Sequence, residues 1–185
     1  MNGRADDHAD EHGNEDRFPV VPGLGNHRPE QLLAALKRHP AVTLLWQAFA
    51  NSLLEGGALA ARDRELLVLR TAYVRRNAYI WGGHVLAATA AGLTDSDVGR
   101  IAAGASAPGW SVRDRALLGA VDDLIRGGVL SGTTRAALGA ALDERQRLEV
   151  PMVVGNYVLV SMIVDALGLV PEPWSIPLPA NERPE

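Results

Sequence analysis

The chain has no cysteine, and that absence narrows its chemistry more than any other feature. Disulfides, thiolate metal sites, iron–sulfur clusters and every thiol mechanism are excluded. Lysine is nearly absent as well: Lys37 stands alone, and arginine supplies every other basic side chain. There is no excess of positive charge. Residues 1–17 carry six acids against Arg4 and Arg17, and the rest of the chain holds 16 acids and 16 bases. A neutral body with an acidic leading stretch lacks the basic face that phosphate binding requires, which argues against nucleic acid and an anionic membrane as partners. Long apolar runs are missing too. The longest, Val150 to Val164, is broken by Asn156 and bounded by Glu149 and Asp165. A spanning helix needs about 20 apolar residues, so this segment reads as a core helix. The N-terminal residues are polar, without the apolar stretch of a secretory signal, and a cytoplasmic protein is expected. No segment alternates with period two, so no sheet is expected.

What is present is a soluble, globular composition: 185 residues, 47% hydrophobic and 22% charged, enough for one domain with a real core. Residues 1–28 read as a disordered acidic tail followed by an extended lead-in rich in proline and glycine. His8 and His12 stand four apart among its carboxylates; the reading is a solvated tail, and no metal site is expected. Residues 29–170 read as a helical domain, and 171–185 as a Pro-rich tail with four prolines between Pro171 and Pro179.

Within 29–170 the apolar spacing predicts about eight helices and an all-α fold. Their approximate spans are Pro29–His39, Ala41–Leu54, Arg62–Arg75, Asn77–Gly92, Thr94–Ala103, Ser111–Arg126, Ser131–Leu142 and Asp143–Leu169. Thr94-Asp95-Ser96-Asp97 has the form of a capping box, with Asp in place of the usual Glu, and Ser111-Val-Arg-Asp114 opens the sixth helix. Arg62-Asp-Arg-Glu-Leu-Leu67 recurs as Arg113-Asp-Arg-Ala-Leu-Leu118, 51 residues on. This suggests two related helical hairpins packed together, or simply a common way of starting a helix. The copies differ at one position: Glu65 in the first is Ala116 in the second.

Only one of the five histidines, His84, sits inside a long apolar helix. At helical spacing Asn77, Ile80, Trp81 and His84 share a face. Gly82 and Gly83 precede it, each costing up to about 1 kcal/mol against alanine in a helix. Close helix packing, or room for a ligand beside His84, would justify them. His84 reads either as a core histidine with one hydrogen-bond partner or as a proton-transfer group. Glu65, one turn into the preceding helix, reads either as a carboxylate suited to the helix dipole or as the group that orients and charges the imidazole.

Three stretches together carry a resemblance: Arg62-Asp-Arg-Glu-Leu-Leu-Val-Leu-Arg70, Tyr79-Ile-Trp-Gly-Gly-His84 and Ala90-Ala-Gly-Leu-Thr94. They resemble the carboxymuconolactone decarboxylase family, which includes the alkylhydroperoxidase D-like proteins. His39-Pro40, and the late run from Asn156-Tyr157 to Gly168, extend the likeness over roughly residues 30–170. The resemblance implies an all-helical subunit assembling into trimers or hexamers, with His84 as the acid/base centre and Glu65 as its relay partner. It also exposes a departure. The peroxidase branch carries Cys-x-x-Cys-x-x-x-His, and those cysteine positions are Asn77 and Ile80 in this chain. Thiol peroxidase chemistry is therefore lost. What remains is similar to the decarboxylase-like branch, which uses no metal or organic cofactor.

On that basis the chain is expected to be a lyase acting on a small unsaturated lactone or carbonyl acid, with His84 as proton shuttle. The alternatives are a sister isomerase, cyclase or dehydratase on a bulkier unsaturated carbonyl compound, or a non-catalytic oligomeric binding protein. Asn77, Tyr79, Ile80, Trp81 and Tyr157 are the candidate substrate-binding residues; Tyr79 and Trp81 read equally as core aromatics, and Asn156 joins Tyr157 from the long helix. Arg64, Arg70, Arg75 and Arg76 are near enough in sequence to hold substrate carboxylates. Two arginines turned into the pocket would favour a diacid lactone, whereas an apolar, aromatic pocket would favour a bulky substrate.

Overall fold

The first helix opens just after Pro29, and everything from there to Leu167 is helix joined by short turns. The structure is a computed structural model, and it describes residues 24–180. The acidic stretch 1–17, with His8 and His12, lies outside the described residues, as do residues 18–23 and 181–185. Among the described residues there are eight α-helices and no strand. They are α1 Glu30–Leu36, α2 Pro40–Glu55, α3 Ala61–Val74, α4 Ala78–Ala90, α5 Asp95–Ile101, α6 Val112–Gly127, α7 Gly132–Ala141 and α8 Glu144–Leu167. One 3-10 turn, Gly104–Ser106, lies in the stretch between α5 and α6.

Side chains set the helix starts. Thr94 and Asp97 form a reciprocal capping box at α5, Ser111 and Asp114 form another at α6, and Asp143 and Gln146 a third at α8. Each satisfies backbone N–H groups that the first turn leaves unpaired. Left-handed glycines at Gly128 and Gly168 end α6 and α8 (φ 71° and 62°). The first helix is shorter than the sequence pattern suggests: it stops at Leu36, and residues 37–39 form a turn before Pro40 opens α2.

α3 is the axis of the fold. Leu66, Leu67, Val68 and Leu69 are consecutive and all fully buried, because α4, α6 and α8 pack around it. Four consecutive residues point to all sides of a helix, so this turn of α3 is enclosed all round. Three charged residues of α3 are matched across the α3–α6 contact. Arg62 donates to Asp114 at 2.6 Å, Arg113 donates to Asp63 at 2.7 Å, and Arg70 forks onto Asp122 at 2.7 and 3.1 Å. The first two pairs are reciprocal: the Arg-Asp of each sequence copy binds the Asp-Arg of the other. Such an exchange is what a local two-fold relation between α3 and α6 produces.

α8 is long and apolar enough by composition to cross a membrane. Its Val150, Val153, Val154, Tyr157, Val160 and Val164 are nonetheless buried against the other helices, so that face belongs to the core. Pro151 lies inside α8, two turns from its start, on the exposed side. Beyond Gly168 the chain is extended, as its prolines dictate, and it runs back over α4.

Candidate active site

The α3–α4 connection is only three residues long, with Arg76 in the left-handed region (φ 55°). The two helices are therefore adjacent and antiparallel, and Glu65 and His84 lie at similar heights on facing sides. His84 Nδ1 is 2.7 Å from Glu65 Oε2. Glu65 is 1% exposed and His84 8%. A carboxylate only accepts, so Nδ1 carries the hydrogen, and in the neutral ring Nε2 keeps a lone pair for the cavity that His84 lines. Arg64, itself buried, lies on the far side of the carboxylate, its Nε 3.7 Å from Glu65 Oε1. It also donates to the Leu53 carbonyl at 3.5 Å. The buried glutamate thus has a cation on one side and an imidazole on the other, which offsets the cost of burying its charge.

Tyr157 of α8 packs edge-on against the imidazole, with ring centroids 4.8 Å apart and planes at 87°. Burial pushes its hydroxyl pKa up; the Glu65 carboxylate adds to this and Arg64 opposes it. The phenol stays protonated at neutral pH. One helical position earlier, Asn156 accepts from Trp46 Nε1 at 2.8 Å through Oδ1. That bond fixes the amide orientation and leaves the Nδ2 donors of Asn156 for the cavity it lines.

The cavity has a volume of about 90 Å³. Its walls are mainly apolar: Leu32, Leu33 and Leu36 of α1, Ala50 and Leu54 of α2, Ile80 of α4 and Val160 of α8. Leu24 and Pro29 close one side, and Glu172, Trp174 and Ser175 of the extended C-terminal segment close another. Among the described residues, no arginine or lysine lines it. Arg64 is turned to Glu65, Arg70 to Asp122, and Arg76 to the Pro179 carbonyl at 3.2 Å. Arg75, beside them in sequence, is not among the lining residues either.

Of the residues singled out from sequence, Tyr79, Ile80, His84 and Tyr157 meet in the cavity, with Glu65 directly behind His84. Asn77 and Trp81 do not line it. Asn77 caps α4, accepting from the Ile80 amide at 2.9 Å and donating to Asp165 at 3.1 Å. Trp81 is 1% exposed and packs beside Tyr73 in the core. The Tyr79 hydroxyl is already engaged: it accepts from the Leu32 amide at 3.1 Å and donates to Glu172 at 3.0 Å. Trp46, Glu172 and Trp174 were not anticipated. Only the segment holding Trp174 left a signal, an indirect one, in the paired glycines. A Cβ on Gly82 would lie 2.4 Å from Ser175 Cβ, and one on Gly83 would touch the Trp174 ring at 3.6 Å. No cluster of three His, Asp or Glu side chains suited to a metal occurs among the described residues.

A model of the carboxymuconolactone decarboxylase family matches residues 40–123, a stretch holding both Glu65 and His84. Among solved structures, a protein of unknown function from Agrobacterium tumefaciens, proposed to be the antioxidant defence protein AhpD, is similar. The TM-score is 0.66 and the identity 19%, over 74% of this chain and 94% of that one. At that identity the likeness is one of fold, and the fold is the AhpD-like helical one. No curated protein matches the chain.

Proposed function

We propose that this chain, whose residues 40–123 match the carboxymuconolactone decarboxylase family model, is a member of that family and a cofactor-independent acid/base enzyme in which His84 moves a proton on a small unsaturated carbonyl compound or lactone. The observation that carries this reading is the buried Glu65–His84 pair at 2.7 Å, with the imidazole on the wall of an apolar cavity. Nε2 takes a proton from a carbon conjugated with the carbonyl. The electron pair of the broken C–H bond moves to the carbonyl oxygen, and Asn156, which lines the same cavity, donates to it from Nδ2. Glu65 holds the ring in its tautomer and stabilises the imidazolium, so it is a positioning residue. Return of the proton to another carbon of the conjugated system completes an isomerisation. The low-dielectric walls strengthen each of these charge interactions.

Decarboxylation of a diacid lactone is the family-level alternative. It needs cations for the carboxylates, and the cavity wall offers a carboxylate, Glu172, instead. Among the described residues no arginine lines the cavity, which favours a neutral substrate and isomerase chemistry over the lyase reading, while a volume of about 90 Å³ favours a small substrate over the bulkier one of the sister-enzyme alternative.

We also assign the chain to a homo-oligomer, a trimer or hexamer, in the cytoplasm. Val42, Leu45 and Phe49 form an exposed apolar stripe on α2, and Leu148, Met152, Leu159 and Met162 form another on α8. Apolar faces of this extent support burial between subunits. Light scattering of a 20-kDa species at micromolar concentration would overturn the assembly.

Proton transfer can be tested before the natural substrate is known. Cyclic enones and unsaturated lactones incubated with the protein in D₂O are expected to take up deuterium at α or γ carbons, read by NMR. His84→Ala should lower the rate by about 10²–10⁴-fold, and Glu65→Gln by less. Exchange no faster than buffer across the panel, or undiminished in His84→Ala, refutes the reading.

A further inference from the structure

His84, its partner Glu65 and the walls around them come from different parts of the chain. Glu65 and His84 lie on two central helices inside residues 40–123. Much of the roof comes from outside that stretch: Leu24, Pro29 and α1 before it, and Glu172, Trp174 and Ser175 after it. The C-terminal segment is attached at defined points. Glu172 accepts from the Gln31 amide at 3.1 Å and from the Tyr79 hydroxyl at 3.0 Å. The Gln31 side chain donates to the Val170 carbonyl at 2.9 Å. The Ile176 amide donates to the Gly82 carbonyl at 3.3 Å. Trp174 stacks on His27, with centroids 4.9 Å apart and planes at 23°, and its ring lies against Gly83, the residue before His84.

Two properties of this strap bear on what can reach the imidazole. Among the described residues, Glu172 is the only aspartate, glutamate, lysine or arginine lining the cavity. Trp174 is the largest side chain the strap contributes, and it limits the space over Gly83 and His84. At about 90 Å³ the cavity is smaller than the ~150 Å³ that accommodates a benzene ring in an engineered apolar core. Most of the remaining wall is packed helix, and Trp174 is the bulkiest side chain outside the helices, so a ring-sized ligand is seated as Trp174 gives way.

We infer that the strap, residues 171–180, determines substrate specificity: Trp174 sets the size of ligand admitted beside His84, and Glu172 turns away carboxylates, so that neutral unsaturated carbonyl compounds are selected. This rests on the proposed proton-transfer reading for its substrate class, but its test is one of binding and needs no turnover. A ligand carboxylate placed in the cavity faces the Glu172 carboxylate across a low-dielectric space with no lining cation, and the repulsion is poorly screened.

Benzamide and benzoate are matched in shape and differ in charge. Their dissociation constants for the full-length protein, and for Glu172→Gln, Trp174→Ala and Trp174→Phe, are measured by calorimetry or ligand-observed NMR at neutral pH. The wild type is expected to bind benzamide below about 10 mM and to prefer it to benzoate by about tenfold or more. Glu172→Gln should reduce that preference to within about threefold of unity. Trp174→Ala should improve the affinity for 2-naphthamide relative to benzamide by about fivefold or more, with Trp174→Phe in between. Equal binding of the two benzene compounds, a preference unchanged in Glu172→Gln, an unchanged naphthamide ratio in Trp174→Ala, or no benzamide binding by the wild type would each overturn the inference. Deuterium exchange that fails while these ratios behave as expected would instead remove the proton-transfer reading and leave the strap's role standing.

Discussion

Replacing Gly82 with alanine pits two effects of opposite sign against each other, and the structure gives the size of both. An alanine Cβ would stand 2.4 Å from Ser175 Cβ, and 3.0 Å from both the Ile176 carbonyl and Ser175 Oγ. Carbon atoms in contact sit about 3.5–4.0 Å apart, so the strap must retreat by roughly 1 Å. The 3.3 Å bond from the Ile176 amide to the Gly82 carbonyl then stretches beyond hydrogen-bonding range. Its loss costs the strap about 0.5–1.5 kcal/mol. The helix gains in return, because alanine is preferred over glycine in a helix interior by about 0.5–1 kcal/mol. The global balance is near zero and the local one is unfavourable. Gly82→Ala should therefore keep its thermal midpoint within about 3 °C of wild type, the shift expected for about 1 kcal/mol in a domain of this size. Amide exchange at Ile176 should accelerate by roughly two- to thirteenfold. Circular dichroism on heating gives the first quantity and hydrogen exchange by NMR the second. A large fall in the midpoint with Ile176 still protected would show that Gly82 supports the helix core and not the strap, and the reasoning would fail.

Leu117, fully buried in α6, should cost about 2–5 kcal/mol when cut to alanine, seen as a lower urea midpoint with unchanged slope. Asp114 should make stability acid-sensitive. Burial tends to raise its pKa, but bonds from Arg62 and Ser111 outweigh that and hold it below the usual carboxylate range. Its contribution is present above the unfolded value of about 3.9 and is lost as pH falls through the lower folded value. Wild-type stability should thus drop more between pH 5 and pH 3 than that of Asp114→Asn, by urea titration at each pH; parallel profiles would count against the pairing. Thiol-dependent peroxide turnover should be absent from purified, metal-free protein, since no cysteine exists to attack the peroxide; a rate above background in a coupled assay would contradict this.

Helix positions were legible because their signals are local. Thr94 with Asp97, and Ser111 with Asp114, announce helix starts within four residues, and the structure has both boxes. The pairing of Glu65 with His84 was half legible. A three-residue connection makes α3 and α4 neighbours, but which sides face depends on how α4 is rotated. α4 buries almost every face, so it has no polar side to orient it. Trp81 shows the consequence. It is three positions from His84, about 60° around the helix, and in an enclosed helix that turn carries it from the cavity to the core beside Tyr73. The strap was the least legible part. Gln31 meets Glu172 across 141 residues, and an extended Pro-rich segment has no periodicity to reveal its neighbour. The sequence shows only the imprint, two glycines where a helix prefers side chains.

The reciprocal Arg62–Asp114 and Arg113–Asp63 pairs bear on why the site occurs once in a frame that repeats. The two copies of the motif supply equivalent helix starts, each tied to the other by one arginine and one aspartate. Four positions after Ala61 the equivalence ends. Glu65 is buried at 1% exposure and Ala116, its counterpart, at 4%. Burial is therefore common to both positions, and what differs is company. Glu65 has His84 at 2.7 Å and Arg64 at 3.7 Å. An unpaired carboxylate in such a place costs several kcal/mol, so an acid is tolerable only where partners await it. Alanine at 116 is what burial without partners selects, and glutamate at 65 is what burial with an imidazole and a guanidinium permits. The asymmetry follows from the neighbours each position meets: Glu65 stands behind an imidazole that lines a cavity.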